Sequence, residues 1–238
     1  MPERLQQMED WLKSAPEFGD IDIRPASADA SFRRYFRVVD AVGTSYIVMD
    51  APPDKEDMGP FLKVDTLFLG MGLNVPRVLR VDVARGFYLL SDLGDVHYLG
   101  ALNESTVQRL YGDALGALLV IQAQGPQQDE LPAYDKALLL REMALFSDWL
   151  VGAHLEMPLN AAQTALLERC TDLLAESALA QPRVCVHRDY HSRNLMVTTS
   201  NNPGILDFQD AVVGPLTYDL VSLLRDCYIA WPRERVEA

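Results

Sequence analysis

Two polar clusters in the last third of the chain constrain its folding most: His187-Arg188-Asp189-Tyr190-His191-Ser192-Arg193-Asn194 and Asp207-Phe208-Gln209-Asp210. The segment between them is patterned to fold back on itself. Val184-Cys185-Val186 is a short apolar run of β type that delivers His187 and Asp189 to a strand end. Leu195-Met196-Val197 and Ile205-Leu206 are two further apolar runs, and Asn201-Asn202-Pro203-Gly204 between them has the composition of a turn. A β-hairpin is predicted here. It brings Asn194, at the entry of one strand, next to Asp207, at the exit of the other.

That juxtaposition suits phosphoryl transfer. In that chemistry an Asp accepts the proton of the attacking hydroxyl, an Asn a few residues later holds one Mg²⁺, and an Asp after a short hairpin holds the other. Asp189, Asn194 and Asp207 stand in that order, which makes Asp189 the candidate catalytic residue and Asn194 and Asp207 the candidate metal ligands. Two protein oxygens, completed by phosphate oxygens and water, suit Mg²⁺. Each piece alone is ordinary, since His-x-Asp recurs widely and an Asp after an apolar strand is commonly a turn or cap residue. The conjunction at fixed offsets carries the assignment.

With 238 residues, 49% of them hydrophobic, the chain can hold one large or two small domains around a packed core. Apolar runs such as residues 117–121 fall far short of the roughly 20 needed to span a bilayer, and no charged-then-apolar N-terminal signal precedes them. No membrane association and a cytoplasmic location are therefore expected. Cys170, Cys185 and Cys227 are odd in number and widely spaced, which argues against both a disulfide framework and a zinc site. A net charge of -13 disfavours a nucleic-acid polymer as partner. Only four of the 21 basic residues are lysines, so a phosphate clamp would be built of Arg.

Along the chain, residues 1–12 form an opening helix and 21–25 a short extended approach. Small residues lead into a strand ending at 39, a turn at 40–44 and a second strand at 46–49. Residues 58–71 carry Phe61, Val64, Leu67 and Phe68 as an amphipathic helical stripe. Strands at 75–83 and 87–90 flank the turn Ala84-Arg85-Gly86. Beyond residue 94 the pattern is helical: a helix from Asn103 with Val107, Leu110, Tyr111, Ala114, Leu115 and Leu118 on one face, then helices at 134–151, 160–180 and 218–229. The expected fold is α+β and two-lobed, protein-kinase-like. A small β-rich nucleotide-binding lobe (1–90) leads through a hinge (91–94) to a larger helical catalytic and substrate lobe (95–238).

These elements resemble the aminoglycoside phosphotransferase and choline kinase superfamily, through His-x-Asp-x-x-x-x-Asn and Asp-Phe. Within it, the chain looks most like the bacterial anomeric amino-sugar kinases of cell-wall recycling. Asp29-Ala30-Ser31-Phe32-Arg33-Arg34-Tyr35-Phe36-Arg37, Met49-Asp50-Ala51-Pro52-Pro53, the 187–196 segment and Asp207-Phe208-Gln209-Asp210-Ala211 carry that likeness. The resemblance implies ATP and Mg²⁺ as cofactors and a small amino sugar, N-acetylmuramic acid or N-acetylglucosamine, phosphorylated on its anomeric hydroxyl during peptidoglycan recycling. The product would be an α-1-phosphate. Two alternatives stay open: an aminoglycoside or amino-alcohol phosphotransferase, whose cationic substrate would suit the acidic chain, and a catalytically silent nucleotide-binding module.

Departures from the protein-kinase pattern matter. There is no Gly-x-Gly-x-x-Gly and no Val-Ala-Ile-Lys, and Met49 stands where the phosphate-gripping Lys would be. Arg33 and Arg34 are the candidates to grip phosphate instead; the other reading is an ordinary exposed Arg-rich strand face. Ser31 and Phe32 in the preceding loop, and Ser91 and Leu93 in the hinge, complete the expected nucleotide contacts. Gln209 replaces the Gly of Asp-Phe-Gly. Asp219 is expected to brace the catalytic loop, His187 to orient it or serve as a core histidine, Asp210 to be a loop residue, and His191 and Arg193 to face substrate or phosphate. Relatives of this kind continue past the helix carrying Asp219, so part of the acceptor pocket is expected to be missing.

Overall fold

The computed structural model describes residues 2–16, 18, 21–28, 32–126 and 129–237. Along the chain run α1 (Pro2–Lys13), β1 (Asp22–Ala28), β2 (Arg34–Val39), β3 (Ser45–Asp50), α2 (Gly59–Gly70), β4 (Val78–Asp82), β5 (Phe87–Ser91) and the single turn α3 (Tyr98–Ala101). There follow α4 (Val107–Gln124), α5 (Lys136–Leu145), a π-helix (Phe146–His154), α6 (Ala161–Leu179) and β6 (Arg183–Val186). The chain closes with β7 (Leu195–Met196), β8 (Gly204–Ile205), β9 (Val212–Pro215), α7 (Tyr218–Leu224) and α8 (Arg233–Val236). Two compact units result: Met1–Thr106 with Arg193–Gln209, and Val107–Ser192 with Asp210–Ala238.

The first unit is built on a five-stranded antiparallel sheet in the order β1-β2-β3-β5-β4. Strand side chains alternate between faces. Val38, Val48, Phe87 and Leu89 bury one face under Met8, Trp11 and Leu12, which recur at helical spacing on α1. The β4–β5 turn depends on Gly86. Its φ is +74°, and a Cβ there would lie 1.9 Å from the Ala51 carbonyl oxygen, so no other residue fits. β7 and β8 form the predicted hairpin, Leu195 opposite Ile205 and Met196 opposite Gly204. So short a hairpin is marginal alone; here the Ile205 N–H donates to the Asn74 carbonyl (2.8 Å) and the Val197 N–H to that of Val96 (2.8 Å).

In the second unit, α4 starts at Val107 rather than Asn103 and buries Val107, Leu110, Tyr111, Ala114 and Leu118 of the predicted stripe, with Ile121 a turn further on, while Leu115 is only half-buried. β6 pairs antiparallel with β9, and Val184, Val186 and Val212 join Tyr134, Leu139 and Ala175 in one core. α6 begins with a capping box between Asn160 and Gln163. Three differences from the sequence pattern have local causes. The helix expected over 134–151 changes pitch, α5 giving way to the π-helix. β9 is absent from the sequence pattern, since Gly214 and Pro215 cut short a pair of valines; its partner β6 makes Val212–Pro215 a strand. The helix expected over 218–229 stops at Leu224, where Asp226 turns its carboxylate onto the Tyr228 N–H (2.8 Å), a local bond that competes with helix. No helix among the described residues is long and apolar enough to cross a membrane.

Candidate active site

In the first unit the hairpin brings Asn194 and Asp207 together, with Asn194 Nδ2 3.4 Å from Asp207 Oδ2. The Leu206 N–H donates to the Asn194 carbonyl (2.9 Å), so the backbone as well as the side chains fixes the pair. Phe208 drives the local geometry. Its fully buried ring stacks on Phe61 of α2 (centroids 5.1 Å apart) and tilts against Phe68 (5.7 Å). With Phe208 driven inward, Asp207 is turned outward at φ +63°, a left-handed conformation that costs a non-glycine residue and recurs at functional positions. Gln209 Nε2 donates to Asp207 Oδ1 (2.8 Å), steadying a carboxylate that a glycine at that position would leave unsupported. Among the described residues no group of three or more His, Cys, Asp or Glu could hold a metal. One carboxamide and one carboxylate, leaving most positions to phosphate and water, is the donor set Mg²⁺ accepts.

The two arginines singled out from sequence have different surroundings. Arg33 is buried, and its Nη2 stands 3.8 Å from Asp207 Oδ1. Arg34 binds the buried carboxylate of Asp50, which also receives Arg4 of α1 (Nε to Oδ1, 3.0 Å). Arg34 therefore ties β2 to β3 and, through Asp50, to the first helix. Arg34→Ala is expected to cost about 1–2 kcal/mol of stability, Arg4 remaining to neutralise Asp50; a denaturant titration reads it.

Of the other expected nucleotide contacts, Ser31, with Asp29 and Ala30, lies outside the described residues. The Phe32 N–H donates to Glu56 (2.8 Å), while its exposed ring has the Lys55 ammonium 5.9 Å from its centroid. Ser91 ends β5 with its N–H on the Arg77 carbonyl (2.9 Å) and its hydroxyl accepting from the Arg77 N–H (2.8 Å). Leu93 reaches over Gly204, where an added Cβ would meet its Cδ1 at 3.0 Å. Between them, burial would raise the pKa of Asp92, but Arg37, Ser45 and the Gly94 N–H together hold it below the ordinary carboxylate value.

In the second unit the loop following β6 is braced from several sides. The His187 and Arg188 N–H groups donate to the two oxygens of Asp219 (2.6 and 3.0 Å), which is fully buried. Burial pushes the Asp219 pKa up to about 7; the two N–H groups oppose that shift and the nearby Asp189 charge adds to it. Arg188 sits at φ +79°. Its guanidinium is held by Glu142 and, at 3.3 Å, by the Asp210 carbonyl. Asp210 thus serves as a loop anchor. The Asp189 N–H donates to His187 Nδ1 (3.3 Å) and its carbonyl accepts from the His191 N–H (3.0 Å), which gives the imidazole of His187 an orienting part. The Ser192 N–H (2.9 Å) and hydroxyl donate to Asp226, and the His191 ring meets Tyr228 edge-on at 5.3 Å.

Sequence reasoning missed Glu142, Tyr134 and Asp226. They lie 46, 54 and 34 residues from the loop positions they support (Arg188, Arg188 and Ser192), on elements whose spacing carries no hint of the contact. The Tyr134 hydroxyl donates to Glu142, and burial, reinforced by that bond, holds the phenol protonated.

A braced Asp-bearing loop and an Asn–Asp pair on a hairpin are the parts a phosphotransferase needs. Residues 22–238 match the phosphotransferase enzyme family, and the chain belongs to it. Solved structures share the fold at low identity. The macrolide 2'-phosphotransferase of Brachybacterium faecium superposes with a TM-score of 0.65 at 16% identity, covering 98% of this chain and 80% of that one. Aminoglycoside 2'-phosphotransferase-IIIa in its GDP complex gives 0.66 at 14%, covering 94% and 78%. The expected α+β kinase-like fold is thereby established.

Two relatives are far more similar in sequence. A Pseudomonas putida (strain KT2440) protein, 46% identical over 250 residues that cover 100% of this chain and 73% of its own length, is named N-acetylmuramate/N-acetylglucosamine kinase. A Pseudomonas aeruginosa (strain PAO1) protein of the same name is 48% identical, with 99% and 72% covered.

Proposed function

We propose that this chain is a cytoplasmic kinase that transfers the γ-phosphoryl group of ATP to the anomeric hydroxyl of N-acetylmuramic acid or N-acetylglucosamine, in peptidoglycan recycling. The observation that carries the acceptor is the near-half identity, over essentially the whole chain, to proteins named for those two sugars. Asp189 accepts the proton of the attacking hydroxyl. An anomeric hydroxyl is more acidic than an ordinary alcohol, so a modest base suffices. Asp189 has the restraint such a base needs, since its backbone is bonded on both sides, by His187 and by His191. Asn194 and Asp207 would hold Mg²⁺, which when bound neutralises phosphate charge. Arg33 grips phosphate in place of the missing strand lysine, while Ser91 and Leu93 line the adenine end through their backbone.

The test is a panel of acceptors with ATP and Mg²⁺: N-acetylmuramic acid, N-acetylglucosamine, an aminoglycoside and an amino alcohol, with products read by phosphorus NMR. An anomeric phosphate on the amino sugars, and no product from the other two, is expected. Turnover confined to the aminoglycoside or amino alcohol would assign the acceptor to that class instead, and nucleotide binding without turnover on any acceptor would mark a silent module.

A further inference from the structure

The ion pair between Arg37 and Asp92 does more than join strands. Arg37 of β2 reaches across β3 to the residue that follows β5, donating from Nε to Asp92 Oδ2 (2.6 Å) and from Nη2 to Oδ1 (3.1 Å). Ser45, the first residue of β3, adds its hydroxyl to Oδ2 (2.5 Å). Both partners also extend forward to Gly94. Asp92 Oδ1 accepts from the Gly94 N–H (2.9 Å), and Arg37 Nη2 donates to the Gly94 carbonyl (2.8 Å). Gly94 is exposed, sits at φ +92° and has open space where a Cβ would stand. Glycine has the most conformational freedom to lose, so fixing an exposed one at both of its polar groups argues for a use beyond folding.

That use lies one residue earlier. The other end of the hinge is anchored as well, with the Ser91 N–H on the Arg77 carbonyl (2.9 Å) and the Ser91 hydroxyl accepting from the Arg77 N–H (2.8 Å). Leu93 lies between these anchors. Its side chain rests on β8, where a Cβ added to Gly204 would meet Leu93 Cδ1 at 3.0 Å. The Leu93 N–H and carbonyl, by contrast, make no hydrogen bond with the described residues. One donor and one acceptor are thus left open on a half-buried residue whose neighbours and side chain are all held.

We propose that Arg37 and Asp92 are positioning residues for the adenine base: by fixing Gly94 at both its N–H and its carbonyl, they hold the open backbone groups of Leu93 in line with the edge of adenine, where N1 accepts and the 6-amino group donates. Arg suits this task because its planar fork serves the Asp92 carboxylate and the Gly94 carbonyl at once. A clamp set before the nucleotide arrives spares binding the cost of ordering the hinge. The inference rests on the kinase reading above and deepens it, naming what shapes the base-binding edge.

Calorimetry on the full chain with Mg²⁺ tests it, comparing ADP with tripolyphosphate, which carries phosphates but no base, in wild type, Arg37→Lys, Asp92→Asn and the double variant. Lysine keeps a charge beside Asp92 yet has no fork with which to reach Gly94. Arg37→Lys is therefore expected to melt close to the wild-type temperature and to bind ADP about tenfold more weakly, the worth of one well-placed hydrogen bond. Tripolyphosphate should bind as it does to wild type. The double variant should bind ADP no more weakly than Asp92→Asn, because both changes open one clamp. In steady-state kinetics the KM for ATP should rise by a larger factor than kcat falls. Unchanged ADP affinity in Arg37→Lys would overturn the proposal. Equal losses for ADP and tripolyphosphate would do so too, since they mark a general loosening of the first unit rather than a misplaced base. Failure of the kinase reading shows separately, as a wild type that binds ADP but phosphorylates no amino sugar.

Discussion

Asp189→Asn is expected to lower kcat by roughly 10³-fold, the range that loss of a positioned general base produces, while ADP affinity stays within about twofold, the lost interaction belonging to the transition state. The substitution is nearly isosteric, and the Asp189 contacts that hold the loop use its backbone N–H and carbonyl, which Asn retains. Steady-state kinetics with N-acetylmuramic acid and a parallel binding isotherm separate the two effects, and near-normal turnover would sink the assignment. A second consequence is independent of activity. The Asp189 charge contributes to the raised pKa of Asp219, so in the variant Asp219 should titrate below about 7.

Asp219→Asn should have the next largest effect. The buried carboxylate accepts from two consecutive N–H groups, and an amide presents one oxygen and one NH₂ in the same space. One N–H is left facing a donor, at a cost of about 1–3 kcal/mol, and the His187–Asp189 backbone loses its brace. A displacement of this kind lowers turnover on the order of 10²-fold. The pH dependence of stability provides the check. Burial raises the Asp219 pKa to about 7 in the folded chain, so the folded state holds its proton more tightly than the unfolded state does. Its contribution is complete below the ordinary Asp value of about 4 and is lost as pH rises toward 7. The stability difference between wild type and Asp219→Asn should therefore shrink as pH rises through that window; a difference that is flat or grows with pH would reject the assignment of cause.

Much of the fold was legible because local pattern and tertiary role agree. The α4 stripe, the α2 stripe and the turn between the strands at 195–196 and 204–205 are each short-range signals with one structural solution. The hairpin in particular let the meeting of Asn194 and Asp207 be foreseen, since strand pairing converts a distance in sequence into adjacency. The parts that escaped depend on partners remote in sequence. Arg33 and Arg34 are adjacent and identical in type, and only their surroundings separate them: one leans on Asp207, the other is consumed by Asp50.

The sequence by itself determined the class of chemistry through its motifs, and the meeting of Asn194 with Asp207 through a hairpin that residue spacing encodes. It also placed the chain among phosphotransferases, through motifs that span its last third. Only the tertiary structure decided what else holds those groups: Glu142 and Asp226 join the anticipated Asp219 in fastening the loop, from 46 and 34 residues away, and Phe208, buried between two rings of α2, turns Asp207 outward. Such contacts arise from packing and burial, which depend on the closing of long loops and leave no period in the sequence.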